Sequence, residues 1–174
     1  MNIFIYGPNG SGKSRFAEEL VSKYVSYDRY YIATLKPYDE EGFEKVRKHV
    51  EMRKDLNMTT LEDPYLADSI AHIKEGRKAA CVLLEDLSNL TANVFFETPD
   101  TERILPRIHE LQQISETTII VSIGGLDPEQ YDGETKEYIR LLNRLNSKLA
   151  AECDEVYEFT ADGQYKTKSS TRFT

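Results

Sequence analysis

The sequence has no apolar stretch that approaches the roughly 18–20 residues of a membrane-spanning helix. Its N-terminal segment, MNIFIYG, lacks the basic start and the apolar length of a secretion signal. We therefore expect a cytoplasmic protein without a membrane span. Internal repeats and Pro-, Gly- or Ser-rich linkers are also absent. The 174 residues are accordingly predicted to form one nucleotide-binding domain over residues 1–168, followed by a polar tail at 169–174.

An excess of basic charge is missing as well. The chain has 22 Lys and Arg against 30 Asp and Glu, which gives a formal net charge of −8. Nucleic acids and anionic membranes require a basic surface, so we expect neither as a partner. A polyanionic nucleotide is still compatible with this charge, because donors and a divalent metal can be concentrated at one spot.

Cysteine is scarce, and neither Cys81 nor Cys153 stands in a CxxC pair or beside a cluster of histidines. We interpret both as buried or half-buried thiols rather than as metal or redox ligands.

Short apolar runs alternate with helical patterns along the chain. Strands are predicted at residues 2–6, 30–33, 80–84, 118–122 and 155–159, with a weaker sixth candidate at 58–61. Helices are predicted at residues 13–25, 40–53, 65–75, 89–96, 101–115 and 135–151. This alternation indicates an α/β fold with a mainly parallel sheet and helices on both faces. The turn Ala161-Asp162-Gly163 predicts a C-terminal antiparallel hairpin.

The first strand runs directly into a phosphate-binding motif. The segment Gly7-Pro8-Asn9-Gly10-Ser11-Gly12-Lys13-Ser14 satisfies G-x-x-x-x-G-K-[ST], and a helical pattern follows it. Glycines allow successive backbone N–H groups to converge on phosphate oxygens, and the helix presents its positive N-terminus to the same anion. Lys13 is expected to reach the β- and γ-phosphates, and the Ser14 hydroxyl to ligate Mg²⁺. The motif predicts a P-loop protein that binds ATP or GTP.

Two acidic residues, Glu85 and Asp86, end the strand predicted at residues 80–84. A carboxylate at this point of a P-loop protein commonly orients the metal or its waters. Either acid suits that role, and the alternative is that both merely end a strand at the surface. An N-K-x-D guanine-reading motif is absent, which argues against a Ras-like switch.

His49 lies on the helix predicted at residues 40–53, with Arg53 one turn further along. A neutral imidazole can attack phosphorus covalently, and an arginine at i+4 can hold phosphate oxygens. The alternative is that His49 is an ordinary solvated helix residue. His72 and His109 have no comparable neighbours and are interpreted as helix-surface residues.

Further short segments follow the phosphate loop in a defined order. They are SGKSRFAE at residues 11–18, YIAT at 31–34, KVRKH at 45–49, TLEDP at 60–64, VLLE at 82–85, LTAN at 90–93, NSKLA at 146–150 and DEV at 154–156. In order and approximate spacing they resemble the bifunctional adenosylcobinamide kinase/adenosylcobinamide-phosphate guanylyltransferases of cobalamin assembly.

The resemblance implies a RecA-like sheet, a possible homotrimer, and two reactions at one nucleotide site. The hydroxyl of adenosylcobinamide takes a γ-phosphoryl group, and GMP from GTP then passes through the enzyme histidine to give adenosylcobinamide-GDP. By the same resemblance His49 is the GMP acceptor, and it joins Lys13 of the phosphate loop as a candidate catalytic residue. Thr34, Arg53, Glu62 and Glu85 would contact nucleotide or metal.

The chain departs from the family pattern at two places. Gly10 stands where the family usually has an arginine, and Val121-Ser122-Ile123-Gly124-Gly125 replaces its T-N-E-V-G segment. A lost Asn and Glu could remove a contact that either reaction needs. Two alternatives therefore stay open: a P-loop small-molecule kinase that lacks the guanylyl step, and a non-catalytic nucleotide-binding homologue.

Overall fold

The computed structural model describes residues 1–76 and 79–169, and within them seven strands form one sheet. The strands are β1 (Asn2–Gly7), β2 (Asp28–Ala33), β3 (Thr59–Glu62), β4 (Ala80–Glu85), β5 (Thr117–Ile123), β6 (Glu155–Phe159) and β7 (Tyr165–Ser169). Their order is β3-β2-β4-β5-β1-β6-β7, and every pair is parallel except β6 with β7. The predicted parallel sheet and antiparallel hairpin are therefore confirmed, and the weak sixth candidate is the edge strand β3.

In the same two ranges, six α-helices connect the strands. They are α1 (Lys13–Val21), α2 (Glu40–Arg53), α3 (Ser69–Lys74), α4 (Leu87–Glu97), α5 (Ile104–Ile114) and α6 (Gly133–Glu152). The prediction was correct at both ends only for α2. The helix predicted from residue 13 ends four residues early, at Val21, and the one predicted from residue 101 begins with a 3-10 turn, Thr101–Arg103.

The helix predicted at residues 65–75 was wrong over its first turn. The Asp63 carboxylate accepts hydrogen bonds from the backbone N–H groups of Ala67, Asp68 and Ser69, and also from the Ser69 hydroxyl. Three of these bonds use backbone N–H groups, and a helix that began at residue 65 would direct those of Asp68 and Ser69 to its own carbonyls. The bonds to Asp63 hold the preceding residues in turns instead. Helix α3 therefore begins only at Ser69.

The core has two parts, one on each face of the sheet, because alternate side chains of a strand point in opposite directions. Phe4 of β1 belongs to a cluster that includes side chains of α3, α4, α5 and α6, whereas its neighbours Ile3 and Ile5 belong to a second cluster with Ala17 and Val21 of α1. Helices thus cover both faces, as predicted.

Both cysteines are buried and unpaired, and burial raises the pKa of each thiol to about 12. None of the helices among the described residues is long and apolar enough to cross a bilayer. Of the predicted tail, Ser169 is the last residue of β7, and residues 170–174 lie outside the described part of the chain.

Candidate active site

The phosphate loop joins the carboxyl end of β1 to the first turn of α1. Gly10 and Gly12 have φ angles of 72° and 89°, in the left-handed region of backbone conformation that residues other than glycine rarely adopt. A Cβ built on Gly7 would lie 2.6 Å from the Phe159 carbonyl oxygen, so the loop can leave the sheet here only with glycine. Around a Cβ at Gly10 there is open space, and the obstacle to an arginine there is the backbone conformation.

Lys13 closes the loop upon itself. Its ammonium donates to the Pro8 carbonyl oxygen at 2.6 Å, and the Ser11 hydroxyl donates to the same oxygen at 2.8 Å. Lys13 is only 7% exposed, and its burial lowers the pKa of the ammonium group against the opposing effect of Asp86 and Glu85. A cation buried inside a loop of backbone amides is suited to bind a phosphate anion.

Of the two acids that end β4, Glu85 faces the phosphate loop. It accepts a short hydrogen bond from the Ser14 hydroxyl and a second from the Tyr31 hydroxyl at 3.3 Å. The Asp86 carboxylate instead accepts from the Asn89 N–H at 2.6 Å and caps α4. Burial raises the pKa of both carboxyl groups, and the bond from Ser14 opposes the increase at Glu85.

The oxygen atoms of Ser14 and Glu85 suit Mg²⁺, which prefers hard oxygen ligands and keeps several waters. In the described residues no three His, Cys, Asp or Glu side chains are grouped so that they could hold a metal alone. The residues present therefore fit a Mg²⁺ ion that takes its remaining ligands from nucleotide phosphates and water.

Thr34 lies beneath the site rather than in it. It is completely buried, and its hydroxyl donates to the Asp86 carbonyl oxygen at 2.8 Å and accepts from the Asp86 N–H at 2.7 Å. The side chain thus fixes the backbone at the end of β4. The resemblance had implied instead that Thr34 contacts nucleotide or metal.

A pocket of about 480 Å³ opens beside the phosphate loop and brings sequence-separated segments together. Its lining residues are Ser14, Arg15, Glu18, Tyr31, His49, Arg53 and Glu85. Partial burial lowers the pKa of His49, and the positive charges of Arg53, Lys48 and Lys45 lower it further. The imidazole is therefore neutral at neutral pH, the form in which a ring nitrogen carries the lone pair that attacks an electrophile.

Arg53 is a buried cation of this pocket with an unused donor. Its side chain is 4% exposed, and its guanidinium carbon lies 3.5 Å from the centre of the Tyr31 ring. Its Nε has no hydrogen-bond partner among the described residues. Burial raises the pKa of the neighbouring Glu18 carboxyl, while the charge of Arg53 lowers it. A buried guanidinium with a free N–H is suited to an incoming anion.

Glu62 is not part of this pocket. It is exposed at the end of β3 and lines a neighbouring groove with Phe43, Val46 and Arg47. His72 and His109 do not line the pocket either, and the His109 Nε2 atom lies 2.8 Å from a Glu152 carboxylate oxygen.

Three lining residues were not singled out from the sequence: Arg15, Glu18 and Tyr31. A signal was present for Glu18, which follows Ser14 by four residues on α1 and so shares its face of the helix. Tyr31 begins the segment YIAT, but that segment gives no indication of its contacts, since its partners Glu85 and Arg53 are distant in sequence.

The segment that departs from the family pattern lies against the base of the phosphate loop. The Gly124 N–H donates to the Gly7 carbonyl oxygen at 3.0 Å, and a Cβ on Gly124 would meet the Tyr6 ring at 2.6 Å. The Ser122 hydroxyl is buried and donates to the Asn146 side-chain oxygen at 2.7 Å. Neither residue lines the pocket of His49.

A family model for cobinamide kinase / cobinamide phosphate guanyltransferase, CobU, matches residues 3–166. The chain belongs to this family. The CobU match bears out the resemblance that the sequence motifs indicated, and it makes the chain a member of an enzyme family. A search of curated proteins finds no match to the sequence.

Several solved structures are similar in fold to this CobU-family chain. The KaiC-like protein PH0186 from Pyrococcus horikoshii OT3 has a TM-score of 0.55 at 10% identity, covering 99% of this chain and 81% of that one. The flagellar accessory protein FlaH from Methanocaldococcus jannaschii has a TM-score of 0.50 at 16% identity, covering 95% and 75%. An ATPase from the type III secretion system of pathogenic bacteria has a TM-score of 0.53 at 11% identity, covering 90% and 51%. At these identities the likeness shows the fold alone, and it confirms the predicted P-loop NTPase fold.

Proposed function

We propose that this protein phosphorylates the hydroxyl group of adenosylcobinamide with a nucleoside triphosphate, and then transfers GMP from GTP through His49 to give adenosylcobinamide-GDP. The observation that supports this best is the pocket in which His49 and Arg53 line the same space as Ser14 and Glu85. One nucleotide could then contact His49 as the nucleophile and Arg53 as the phosphate-binding cation. It would also lie beside the two candidate Mg²⁺ ligands, Ser14 of the phosphate loop and Glu85 of β4.

In the kinase reaction the substrate hydroxyl oxygen attacks the γ-phosphorus and its proton passes to solvent. The bond from this phosphorus to the β,γ-bridging oxygen breaks, and a nucleoside diphosphate leaves. Lys13 and the N-terminus of α1 bind the phosphate oxygens. Ser14 and Glu85 would hold Mg²⁺, which neutralises part of the phosphate charge when it is bound.

In the guanylyl reaction a ring nitrogen of neutral His49 attacks the α-phosphorus of GTP. A nitrogen–phosphorus bond forms, pyrophosphate leaves, and the ring loses its remaining proton to solvent. An oxygen of adenosylcobinamide phosphate then attacks the same phosphorus, the nitrogen–phosphorus bond breaks, and the ring takes up a proton from solvent, which regenerates neutral His49. Arg53 is suited to bind the α-phosphate oxygens, because its buried Nε has no other partner in the described part of the chain.

The decisive experiment is the intact mass of the protein after incubation with GTP and Mg²⁺. Wild type should gain an acid-labile, GMP-sized increment, and the variant His49→Ala should gain none. The control is His109→Ala, which removes a half-exposed helix histidine outside the pocket and should behave as wild type. An increment that persists in His49→Ala would show that the nucleophile is another residue.

The kinase step is tested by replacing Lys13. Removing one preorganised charge at a reacting phosphate costs about 10²-fold or more in kcat, so Lys13→Ala should lose phosphoryl transfer to adenosylcobinamide. Lys23→Ala, which removes an exposed lysine just after α1, is the matched control and should retain it. Equal rates in the two variants would reject the role given to Lys13.

A kinase that lacks the guanylyl step is the second candidate, favoured by the altered segment at 121–125. The Asn and Glu of the family pattern are absent there, and the Ser122 hydroxyl is committed to Asn146. This candidate predicts phosphoryl transfer without any increment on His49. Nucleotide binding without either reaction would instead identify a non-catalytic homologue.

The proposal extends to a homotrimer located in the cytoplasm, with nucleotide and corrinoid but no nucleic acid as partners. Light scattering of the purified protein with and without GTP tests the oligomeric state, and a monomer under both conditions would reject the trimer.

A further inference from the structure

Tyr31 contacts both halves of the candidate active site. Its hydroxyl lies 3.3 Å from a Glu85 carboxylate oxygen, and the face of its ring lies 3.5 Å from the Arg53 guanidinium carbon. The side chain is 5% exposed, so solvent competes little with either contact. One residue thus connects the acid beside the phosphate loop with the cation beside His49.

The register of the sheet explains how a β2 residue reaches Glu85. Tyr31 pairs with Leu83 of β4, and Glu85 follows Leu83 by two residues, so their side chains lie on the same face. Tyr31 and Leu83 both belong to the core that packs against α1. The tyrosine hydroxyl therefore extends along the sheet toward the carboxyl end of β4.

The stacked ring matters most for Arg53. An arginine binds phosphate through a planar fork of donors, so its usefulness depends on how that plane is oriented. Its Nε has no acceptor in the described residues, whereas the aromatic face of Tyr31 lies against its planar group. Cation–π stacking at a desolvated site is among the stronger forms of this contact.

We propose that Tyr31 is a positioning residue that orients Arg53 toward the nucleotide phosphates through its ring and holds Glu85 beside Ser14 through its hydroxyl. This inference rests on the proposed function of the pocket as a nucleotide site. It does not require the guanylyl step, since an oriented Arg53 would strengthen nucleotide binding in a kinase as well.

A double-mutant cycle tests the ring. The dissociation constant of a non-hydrolysable GTP analogue with Mg²⁺ is measured for wild type, Tyr31→Leu, Arg53→Ala and the double variant. Loss of a charged hydrogen-bonding partner weakens binding by about tenfold or more, so we expect that loss in Arg53→Ala. Tyr31→Leu should lose a similar factor, and it should lose nothing further when Arg53 is already absent.

Tyr31→Phe tests the hydroxyl, because it keeps the ring under Arg53. Binding of the analogue at saturating Mg²⁺ should be close to wild type, while the Mg²⁺ concentration that gives half-maximal binding should rise severalfold. Tyr30 supplies the matched control: it is the neighbouring β2 tyrosine, 7% exposed, and packs in the opposite core. Tyr30→Leu should change stability without changing either binding property.

The outcomes separate this inference from the proposed function. Losses that multiply in the double variant, or Tyr31→Leu binding as tightly as wild type, would overturn the role of the ring. An unchanged Mg²⁺ dependence in Tyr31→Phe would overturn the role of the hydroxyl. If Tyr31→Leu does not fold, Tyr31→Met, which also lacks the ring, takes its place in the same cycle with Arg53→Ala. None of these results depends on a GMP adduct, whose absence would count against the guanylyl transfer alone.

Discussion

The Thr34 hydroxyl bonds the backbone of Asp86 in both directions, as acceptor from its N–H at 2.7 Å and as donor to its carbonyl at 2.8 Å. The backbone N–H of Thr34 donates to the Glu85 carbonyl oxygen at 3.1 Å. The loop after β2 is therefore tied to the end of β4, at the position that carries the acid of the site.

Thr34→Val should destabilise the protein and reduce both reactions without contacting the nucleotide. Leaving a buried N–H unsatisfied costs about 1–3 kcal/mol, and each kcal/mol lowers Tm by about 2–4 °C in a chain of this size. Thr118→Val is the matched control, because Thr118 is equally buried and its hydroxyl has no partner among the described residues. Equal Tm values for the two variants, measured by calorimetry, would contradict the role of the Thr34 bonds.

Asp63 should contribute more to stability than its sequence context suggests. Asp63→Ala removes an acceptor of four hydrogen bonds at a 5% exposed position and should cost about 3 kcal/mol. The control is Asp68→Ala. Asp68 immediately precedes α3 and is exposed, and in the described part of the chain its side chain makes no capping hydrogen bond to that helix. Urea denaturation compares the two, and a larger loss in Asp68→Ala would show that the cap has been assigned to the wrong residue.

Comparing Thr34 and Asp63 with the phosphate loop shows why only part of the structure was predictable from sequence. The phosphate loop was found because its glycines, Lys13 and Ser14 are contiguous and their spacing is set by local geometry. The role of Thr34 was not found, because its bonding partner is 52 residues away and hydrogen bonding across a sheet leaves no local pattern. The start of α3 was misplaced for a related reason: Asp63 binds the N–H groups of residues four to six positions later, which periodicity does not register.

The chemistry of histidine and the family resemblance both led us to expect His49 beside the phosphate loop. The two segments are distant in sequence, and only the fold brings them together. The last turns of α2 lie at the carboxyl edge of the sheet, where His49 and Arg53 line one pocket with Ser14 and Glu85. Glu62 belonged to the same expectation, yet it faces a neighbouring groove. Order along the chain indicates which segments reach this edge, but not which pocket each side chain enters.

Glu85→Gln should stabilise the protein in the absence of nucleotide while it abolishes activity. Burial raises the pKa of this carboxyl above its ordinary value of 4.5. Because its pKa is raised in the folded state, this carboxyl contributes most to the free energy of unfolding at pH values below its unfolded-state pKa. That contribution is lost as pH rises through its folded-state pKa. The neutral amide avoids that loss, so the Tm difference should grow as pH rises from 4.5 through the raised pKa of the folded state.

Glu19→Gln, at an exposed position on α1, is the control and should show no such trend. A Glu85→Gln protein less stable than wild type at about pH 8 would indicate that the carboxylate is stabilised by Lys13 and Ser14 more than it is destabilised by burial. Activity, measured at saturating Mg²⁺, should remain lost in either case if Glu85 acts on the metal side of the site.

The rate of GMP addition to His49 should depend on pH with a half-maximal point below 6.5, the ordinary value for histidine. Burial and the nearby positive charges lower the pKa of His49, and only its neutral ring can attack phosphorus. The rate should therefore be constant near neutral pH and fall as pH decreases through the lowered pKa. Rapid-quench measurements with GTP at fixed Mg²⁺, followed by intact mass, give this profile.

Lys48→Gln sharpens the same test, because Lys48 is exposed and contributes to the shift without lining the pocket. Removing its charge should raise the pKa of His49 and move the profile to higher pH, and Lys45→Gln should act in the same direction. Phosphoryl transfer to adenosylcobinamide should keep its own pH dependence in both variants, since it does not use His49. A common shift of both reactions would mean that the titrating group belongs to the shared phosphate site, and His49 would lose its assignment as nucleophile.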